Sequence, residues 1–187
     1  MVSKLLIIKY IFLLPHLLLY YISDKRVKYL IATDVEEMNK RLKQAKSLIY
    51  YLALYKAYRN VFYYRIGNKS FLVRWYLRPE ESFYIYVDNL GPGVFVLNHP
   101  YSTILNAKKI GSNFTVRNLT TLGNKADDRP DERPVIGDNV MLGANVTIVG
   151  DVSVGNNVII GAGSVVTKDI PDNVVVGGVP GRILKNI

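Results

Sequence analysis

Two histidines carry most of the acid–base chemistry that this chain offers near neutral pH, since neutral imidazole is well suited to take up a proton there. His16 lies in an apolar leader, and His99 follows Asn98 just before a long repetitive segment. The chain has no cysteine, which excludes disulfides, thiolate metal ligands and a cysteine nucleophile. General-base catalysis is therefore the chemistry to look for around these two residues.

A six-residue repeat governs the C-terminal half of the chain. An α-helix would place residues six apart on nearly opposite faces, and a plain strand has a period of two. The repeat therefore predicts a parallel β-helix, in which each short strand turns a corner and stacks on the coil below. The residues that keep this spacing, and are expected to point inward, are Ile136, Leu142, Ile148, Val154, Ile160 and Val166, preceded by a second run of Ile104, Ile110, Val116 and Leu122.

One interruption divides the two runs. The step from Leu122 to Ile136 is fourteen residues, and residues 123–135 are polar, charged and contain two prolines. Such a composition cannot continue a coil, so this segment is predicted to form a loop insertion. Insertions in repeat folds tend to lie on the binding face, although a tolerated surface loop would have the same composition.

The N-terminal leader leaves three interpretations open. Residues 5–22 are strongly apolar but contain Lys9 and the Pro15–His16 pair. The segment could be a helix buried against the protein or a second subunit, a helix in contact with a membrane surface, or a membrane span. The basic residues 25–28 would suit an anionic lipid surface. No small-residue cleavage site follows, so a cleaved signal is not expected.

The remaining N-terminal sequence predicts helices. Thr33 and Glu36 have the spacing of a capping box, so a helix is expected to begin there, and Gly67 is a natural stop. Alternating apolar residues predict that strands start near residue 83. The expected organisation is a helical region at 1–82 and a β-helix at 83–187, which is α+β by content.

The positive charge is confined to one half of the chain. The net charge is +9. Residues 1–90 carry 15 Lys and Arg against 7 Asp and Glu, whereas residues 91–187 carry 9 against 8. A basic half suits nucleic acid, a membrane surface or an anionic substrate. No nucleic-acid motif accompanies the charge, so a nucleic-acid partner is not expected.

Several segments resemble hexapeptide-repeat acetyltransferases, most nearly the serine acetyltransferases and the sugar or capsule O-acetyltransferases of the same architecture. The segments are residues 136–140, 143–144, 160–166 and 176–183, together with 98–104 and 120–125, which resemble the active-site coil of that family. The resemblance implies a left-handed parallel β-helix and an acetyl-CoA-dependent O-acetyltransferase. It also implies a hydroxyl acceptor and a cytoplasmic homotrimer, or a multiple of one.

The resemblance assigns roles at the acceptor side of the site. His99 corresponds to the general base, and Asn98 stands where the family usually has a carboxylate. Arg133 occupies the loop position at which serine acetyltransferases have a histidine that helps to hold the amino acid. Arginine there could bind a carboxylate or phosphate, or pair with Asp131 or Glu132. Both serine and a sugar hydroxyl of a glycan remain open as acceptors. Asp88 could orient the imidazole only if a coil is shortened, and a backbone carbonyl is the alternative.

The resemblance also assigns residues to coenzyme A. Backbone amides at Gly143, Ala144, Gly161 and Ala162 would contact the pantetheine arm. Lys168 and Arg182 would meet the phosphates, unless they are ordinary solvated cations.

Proteins of other functional classes also fold as such a coil. A zinc hydratase needs three histidines on one metal, and a chain with two histidines and no cysteine cannot supply them, so no metal is expected. A non-catalytic scaffold and a transferase of longer acyl chains stay open as alternatives.

Overall fold

The computed structural model describes residues 10–96 and 100–187, so Asn98, His99 and the start of the apolar leader lie outside the described residues. A helical region is followed by a parallel β-helix, which confirms the predicted fold class. The helices are α1 (Leu14–Ile22), α2 (Lys25–Leu42), α3 (Leu48–Leu54), α4 (Lys56–Ile66) and α5 (Phe71–Arg74), with a 3₁₀ turn at Gly67–Ser70 between α4 and α5.

The start of α2 corrects the predicted helix start at Thr33. The Asp24 side chain caps α2 by accepting a hydrogen bond from the Val27 amide at 2.9 Å. Thr33 lies inside the helix, where its hydroxyl donates to the Tyr29 carbonyl. A threonine and a glutamate three residues apart also occur inside helices, and the true cap lies nine residues earlier.

The helix α1 has two different faces. One face is buried against the rest of the helical region and contains His16 and Leu19, together with Leu13 just before the helix. The other face is exposed and contains Leu14 and Leu18. Within the described ranges, no helix is both long enough and apolar enough to cross a bilayer.

In residues 10–96 and 100–187, fifteen short strands form the β-helix and the hairpin that ends it, and β1 begins at Phe83, where strands were predicted to start. Sheet A contains β1 (Phe83–Ile85), β4 (Thr103–Leu105), β7 (Thr121–Gly123), β10 (Thr147–Val149) and β13 (Val165–Val166). Sheet B contains β2 (Asn89–Leu90), β5 (Lys109–Ile110), β8 (Val135–Ile136) and β11 (Ser153–Val154). Sheet C contains β3 (Phe95–Val96), β6 (Thr115–Val116), β9 (Met141–Leu142), β12 (Ile159–Ile160), β14 (Val174–Gly177) and an antiparallel β15 (Arg182–Asn186).

The six-residue repeat stacks as predicted in all but one position. Equivalent residues pair across the coils, as Leu122 does with Ile148 and Ile148 with Val166. The exception is Ile104, which was expected to point inward but is 37% exposed, while Leu105 is fully buried and pairs with Leu122. A shift of one residue in strand pairing moves a side chain to the opposite face of the strand. A strict six-residue repeat does not indicate where such a shift occurs.

A column of asparagines lines the corner between sheets B and C. Asn113, Asn139, Asn157 and Asn173 all have positive φ, between 55° and 60°. Each side-chain amide donates to the side-chain oxygen of the next asparagine, at 2.9 Å, 3.0 Å and 2.9 Å. Asparagine tolerates this backbone conformation better than most residues, so the column fixes the corner in successive coils.

The helical region closes the first coil of the β-helix. Ala57 and Val61 of α4 pack into the β-helix core. The Arg65 side chain, also on α4, donates to the Leu90 and Gly91 carbonyls and to Asp34 on α2. The two regions therefore share apolar and polar contacts.

Candidate functional site

The predicted loop leaves the β-helix at the corner between sheets A and B. It separates β7 from β8, and Leu122 and Ile136 on either side remain fully buried, so the insertion does not disturb the core. The equivalent corner of the first coil carries Asp88, and that of the second carries Asn106. Polar side chains from three levels therefore meet at one corner.

Arg133, at the end of this loop, binds Asp88. The Nη2–Oδ2 and Nη1–Oδ1 distances are 2.6 Å and 3.1 Å, which is the bidentate geometry of a strong guanidinium–carboxylate pair. Nη1 also lies 3.4 Å from the Asn106 side-chain oxygen. The hydrogen bonds to Asp88 raise the pKa of Arg133. The carboxylate paired with Arg133 is therefore Asp88, rather than the Asp131 or Glu132 that the sequence offered as an alternative, and Glu132 pairs with Arg129.

This pairing constrains both residues. An acceptor carboxylate could bind the Nη1–Nη2 edge of the Arg133 guanidinium only by displacing the Asp88 carboxylate. Asp88 in turn has both oxygens on Arg133, so it is already committed within the chain. The Arg133 Nε is buried and has no hydrogen-bond partner among the described residues.

The corner between sheets C and A carries the glycine–alanine pairs assigned to coenzyme A. Coils stack closely here, because a Cβ on Gly143 would lie 2.6 Å from the Ala162 nitrogen. The amides of Gly143 and Gly161 donate to carbonyls of the next coil at 2.8 Å. In the described part of the chain, the amides of Ala144 and Ala162 have no such partner. The amides available to a ligand are thus those of the alanines.

The two cations assigned to the phosphates lie on different edges. Arg182 is the first residue of β15 and pairs with Gly177, which continues the column of Gly143 and Gly161. Lys168 follows β13 and lies toward the sheet A–sheet B corner. Both side chains are exposed, and neither forms an ion pair within the described residues.

His99 and Asn98 belong to the segment between β3 and β4, outside the described residues. Their described neighbours are Pro100, which is buried, and Tyr101, which is exposed. The structure therefore brings Gly143, Ala162 and Arg182 into one column, and it places Arg133 at another corner.

The sequence analysis missed the buried polar groups of the helical region. The His16 Nε2 lies 2.9 Å from the Tyr63 hydroxyl, and burial together with the positive charge of Arg59 lowers the pKa of His16 to about 4. Asp34 is fully buried beside Arg65, and burial raises the pKa of Asp34 against the opposing effect of Arg65. No periodic pattern in the sequence signals these contacts. Among the described residues, no group of three or more His, Asp or Glu could hold a metal ion.

Comparison with known proteins supports the resemblance. The family model for the bacterial transferase hexapeptide (six repeats) matches residues 133–168. WcaB of Escherichia coli K12, named for acetyl transfer in colanic acid biosynthesis, is 46% identical over 90 residues, covering 48% of this chain and 55% of that protein. Serine acetyltransferase 2 of Arabidopsis thaliana is 28% identical over 173 residues, covering 87% and 53%. The chain spans about half the length of these curated relatives.

Solved structures agree with this result. The serine acetyltransferase of Neisseria gonorrhoeae aligns with a TM-score of 0.73 at 26% identity, covering 87% of this chain and 67% of that chain. A serine acetyltransferase in complex with CoA aligns with a TM-score of 0.68 at 25% identity, covering 88% and 72%. The resemblance to hexapeptide-repeat acetyltransferases is confirmed in both sequence and fold.

Proposed function

We propose that this chain is an acetyl-CoA-dependent O-acetyltransferase, similar to serine acetyltransferase, with His99 as its general base. The observation that carries the proposal is the structural match to serine acetyltransferases, one of them a CoA complex, across both the helical region and the β-helix. A non-catalytic scaffold would not require alanine amides that lack a partner among the described residues on the column that Gly177 and Arg182 continue.

The reaction needs one proton acceptor. Neutral His99 takes the proton of the acceptor hydroxyl as that oxygen attacks the thioester carbonyl. The new carbon–oxygen bond forms, the carbon–sulfur bond breaks, and the departing sulfur takes the proton back from the imidazolium. The products are an acetyl ester and the free thiol of CoA, and the enzyme returns to its starting state.

The C–A corner offers groups suited to the co-substrate. The Ala144 and Ala162 amides can donate to the amide carbonyls of the pantetheine arm, and Gly143 and Gly161 keep the surface low enough for that approach. Arg182, an exposed cation paired with Gly177 on this column, can bind a phosphate, and Lys168, exposed toward the sheet A–sheet B corner, is the second candidate cation. A homotrimer, or a multiple of one, would allow residues from different corners of neighbouring copies to share one site.

The acceptor is serine or a sugar hydroxyl. Serine requires a partner for its carboxylate, and Arg133 is already occupied by Asp88 at 2.6 Å and 3.1 Å. That pair favours the second candidate, a hydroxyl on a capsular or cell-surface glycan, and the 46% identity to WcaB supports it. We place the reaction in the cytoplasm, where acetyl-CoA is available.

The test is release of free thiol from acetyl-CoA with L-serine, simple hexosides or a membrane glycolipid extract as acceptor. We expect His99→Ala to lower kcat by about 10²–10⁴, the usual contribution of a general base. His16→Gln removes the only other imidazole and serves as the matched control, with activity normalised to folded protein. Release with serine alone would identify a serine acetyltransferase, and release with sugars alone a glycan O-acetyltransferase. Full activity in His99→Ala would disprove the role of His99 as general base. Absence of CoA binding would disprove the proposed acetyltransferase activity.

A further inference from the structure

The outer face of α1 is apolar and uncovered. Leu18, Tyr21 and Ile22 follow Leu14 by four, seven and eight residues, which places all four on one side of the helix, and they are 60%, 67%, 56% and, for Leu14, 59% exposed. The opposite face buries His16 and Leu19, so α1 is not an ordinary surface helix with a polar outer side. Apolar side chains that cluster at the surface of a protein usually mark an interaction site.

A second group of exposed apolar side chains lies on α5 and at the residue that follows it. Phe71, Leu72 and Trp75 are all more than half exposed. Tyr76 joins them to the chain before α1, because its hydroxyl donates to the Phe12 carbonyl at 3.1 Å and its ring lies 5.0 Å from that of Trp75. The helical apolar surface, as we name it, therefore consists of Ile11, Phe12, Leu14, Leu18, Tyr21, Ile22, Phe71, Leu72 and Trp75.

Cations flank this surface. Lys25 and Arg26 follow the end of α1, and Arg74 lies between Leu72 and Trp75. All three are exposed, and none forms an ion pair within the described residues. The helical region carries most of the charge of the chain, since residues 1–90 contribute 15 − 7 = +8 and residues 91–187 contribute 9 − 8 = +1.

We propose that the helical apolar surface is a peripheral docking site for an anionic lipid bilayer. Apolar side chains on one face would enter the boundary between headgroups and acyl chains, as in interfacial helices. Trp75 and Tyr21 have the amphipathic rings that favour this depth, and the flanking cations would lie against lipid phosphates. The proposal does not depend on the acetyl-transfer activity.

The charge distribution argues against a twofold contact with a second copy of the chain at this surface. A twofold contact brings the same patch of both copies together. Lys25, Arg26 and Arg74 of one copy would then face the equivalent cations, and like charges across an interface are unfavourable. An anionic bilayer offers both an apolar layer and the opposite charge.

Trp75 makes the test direct, because it is the only tryptophan of the chain and its side chain is 72% exposed. We expect a blue shift of its emission, together with co-sedimentation, on vesicles of phosphatidylcholine and phosphatidylglycerol. Vesicles of phosphatidylcholine alone are expected to bind more weakly, and high salt should weaken binding to the anionic vesicles. No binding of the wild type, or equal binding to both vesicles, would overturn the proposal.

Three variants assign the contact to this surface. Leu18→Asp is expected to lower the partition coefficient on anionic vesicles about tenfold or more, because a leucine leaves the apolar layer. The control is Leu184→Asp, a 66% exposed leucine on β15, which is expected to bind like the wild type. Lys25→Glu combined with Arg26→Glu is expected to remove the preference for anionic vesicles.

Circular dichroism and the mass in solution complete the experiment. Both single variants should retain the wild-type spectrum, since neither leucine is buried. An equal loss of binding in Leu18→Asp and Leu184→Asp would contradict the proposal. So would a fall in the mass of the particle in Leu18→Asp with no effect on vesicle binding, which would identify the surface as an interface between copies.

Discussion

In the β-helix, nearly every inward-pointing residue has an equivalent in the next coil, whereas in the helical region the buried polar groups have unique partners. Ile148 stacks between Leu122 and Val166, and Asn139 bonds between Asn113 and Asn157. Repetition of this kind distributes stability over many similar contacts between neighbours.

The helical region depends instead on a few polar contacts that occur once. Arg65 joins Asp34 to the Leu90 and Gly91 carbonyls, and Arg59 donates to the Leu52 and Ala53 carbonyls. The loss of one such residue leaves several buried groups without partners. The comparison predicts that single substitutions cost more in the helical region than in the corners of the β-helix.

The largest effect is expected for Arg65→Met. This change leaves the fully buried Asp34 without its opposite charge, and it removes the donor to two carbonyls of the first coil. Breaking a buried pair in this way costs about 3–5 kcal/mol of the free energy of unfolding. Urea denaturation followed by circular dichroism measures it.

The control for this prediction is Arg78→Met. The Arg78 side chain is 74% exposed, and its nearest carboxylate, on Glu81, is 3.7 Å away. Exposed pairs contribute about 0–1 kcal/mol. Similar losses of the free energy of unfolding in the two variants would show that the buried pair contributes no more than an exposed one. The comparison between the helical region and the β-helix would then lose its basis.

An intermediate effect is expected from pH, through His16. Its pKa is about 4 in the folded chain and near 6.5 when unfolded, so the unfolded chain binds more protons between these values. The contribution of His16 is complete above pH 6.5 and is lost as the pH falls toward 4. Such a shift corresponds to about 3 kcal/mol.

Unfolding of the wild type and of His16→Gln at several pH values between 4 and 7 isolates this contribution. The free energy of unfolding of the wild type should fall more steeply with acidification than that of the variant. Parallel curves would mean that folding does not change the pKa of His16 and that its burial has no such consequence.

The smallest effect is expected in the asparagine column. Asn139 has a φ of 56°, and alanine in this left-handed conformation costs about 1–2 kcal/mol. Asn139→Gly keeps the backbone conformation but loses the side-chain bonds, so it should destabilise less than Asn139→Ala in thermal unfolding. If both cost the same, the hydrogen bonds rather than the backbone would determine the role of the column.

The same contrast explains how much of the fold the sequence could predict. The β-helix could be predicted because the apolar residues at every sixth position from 136 to 166 occupy equivalent positions in successive coils. The prediction failed at Ile104, where Leu105 takes the inward position because the pairing from β4 to β7 spans seventeen residues rather than eighteen. It failed again at Thr33, since the capping pattern also occurs inside α2.

The candidate site was predictable in part for the same reason. The glycine–alanine pairs recur with the repeat and fall on one corner, as their spacing requires. The bond between Arg133 and Asp88 joins residues 45 positions apart across a loop of irregular length, so no period could indicate it. The order of the strands along the chain does show that Arg133 and Asp88 both lie at the corner between sheets A and B.

The packing of α4 against the first coil has a consequence for assembly. A stack of parallel strands is an open-ended template, and an uncovered end could recruit the coils of other molecules into a growing filament. Ala57 and Val61 of α4 occupy the apolar end of the first coil, and the antiparallel β15 occupies the edge of β14 in sheet C. By covering these edges, α4 and β15 favour discrete particles over polymers.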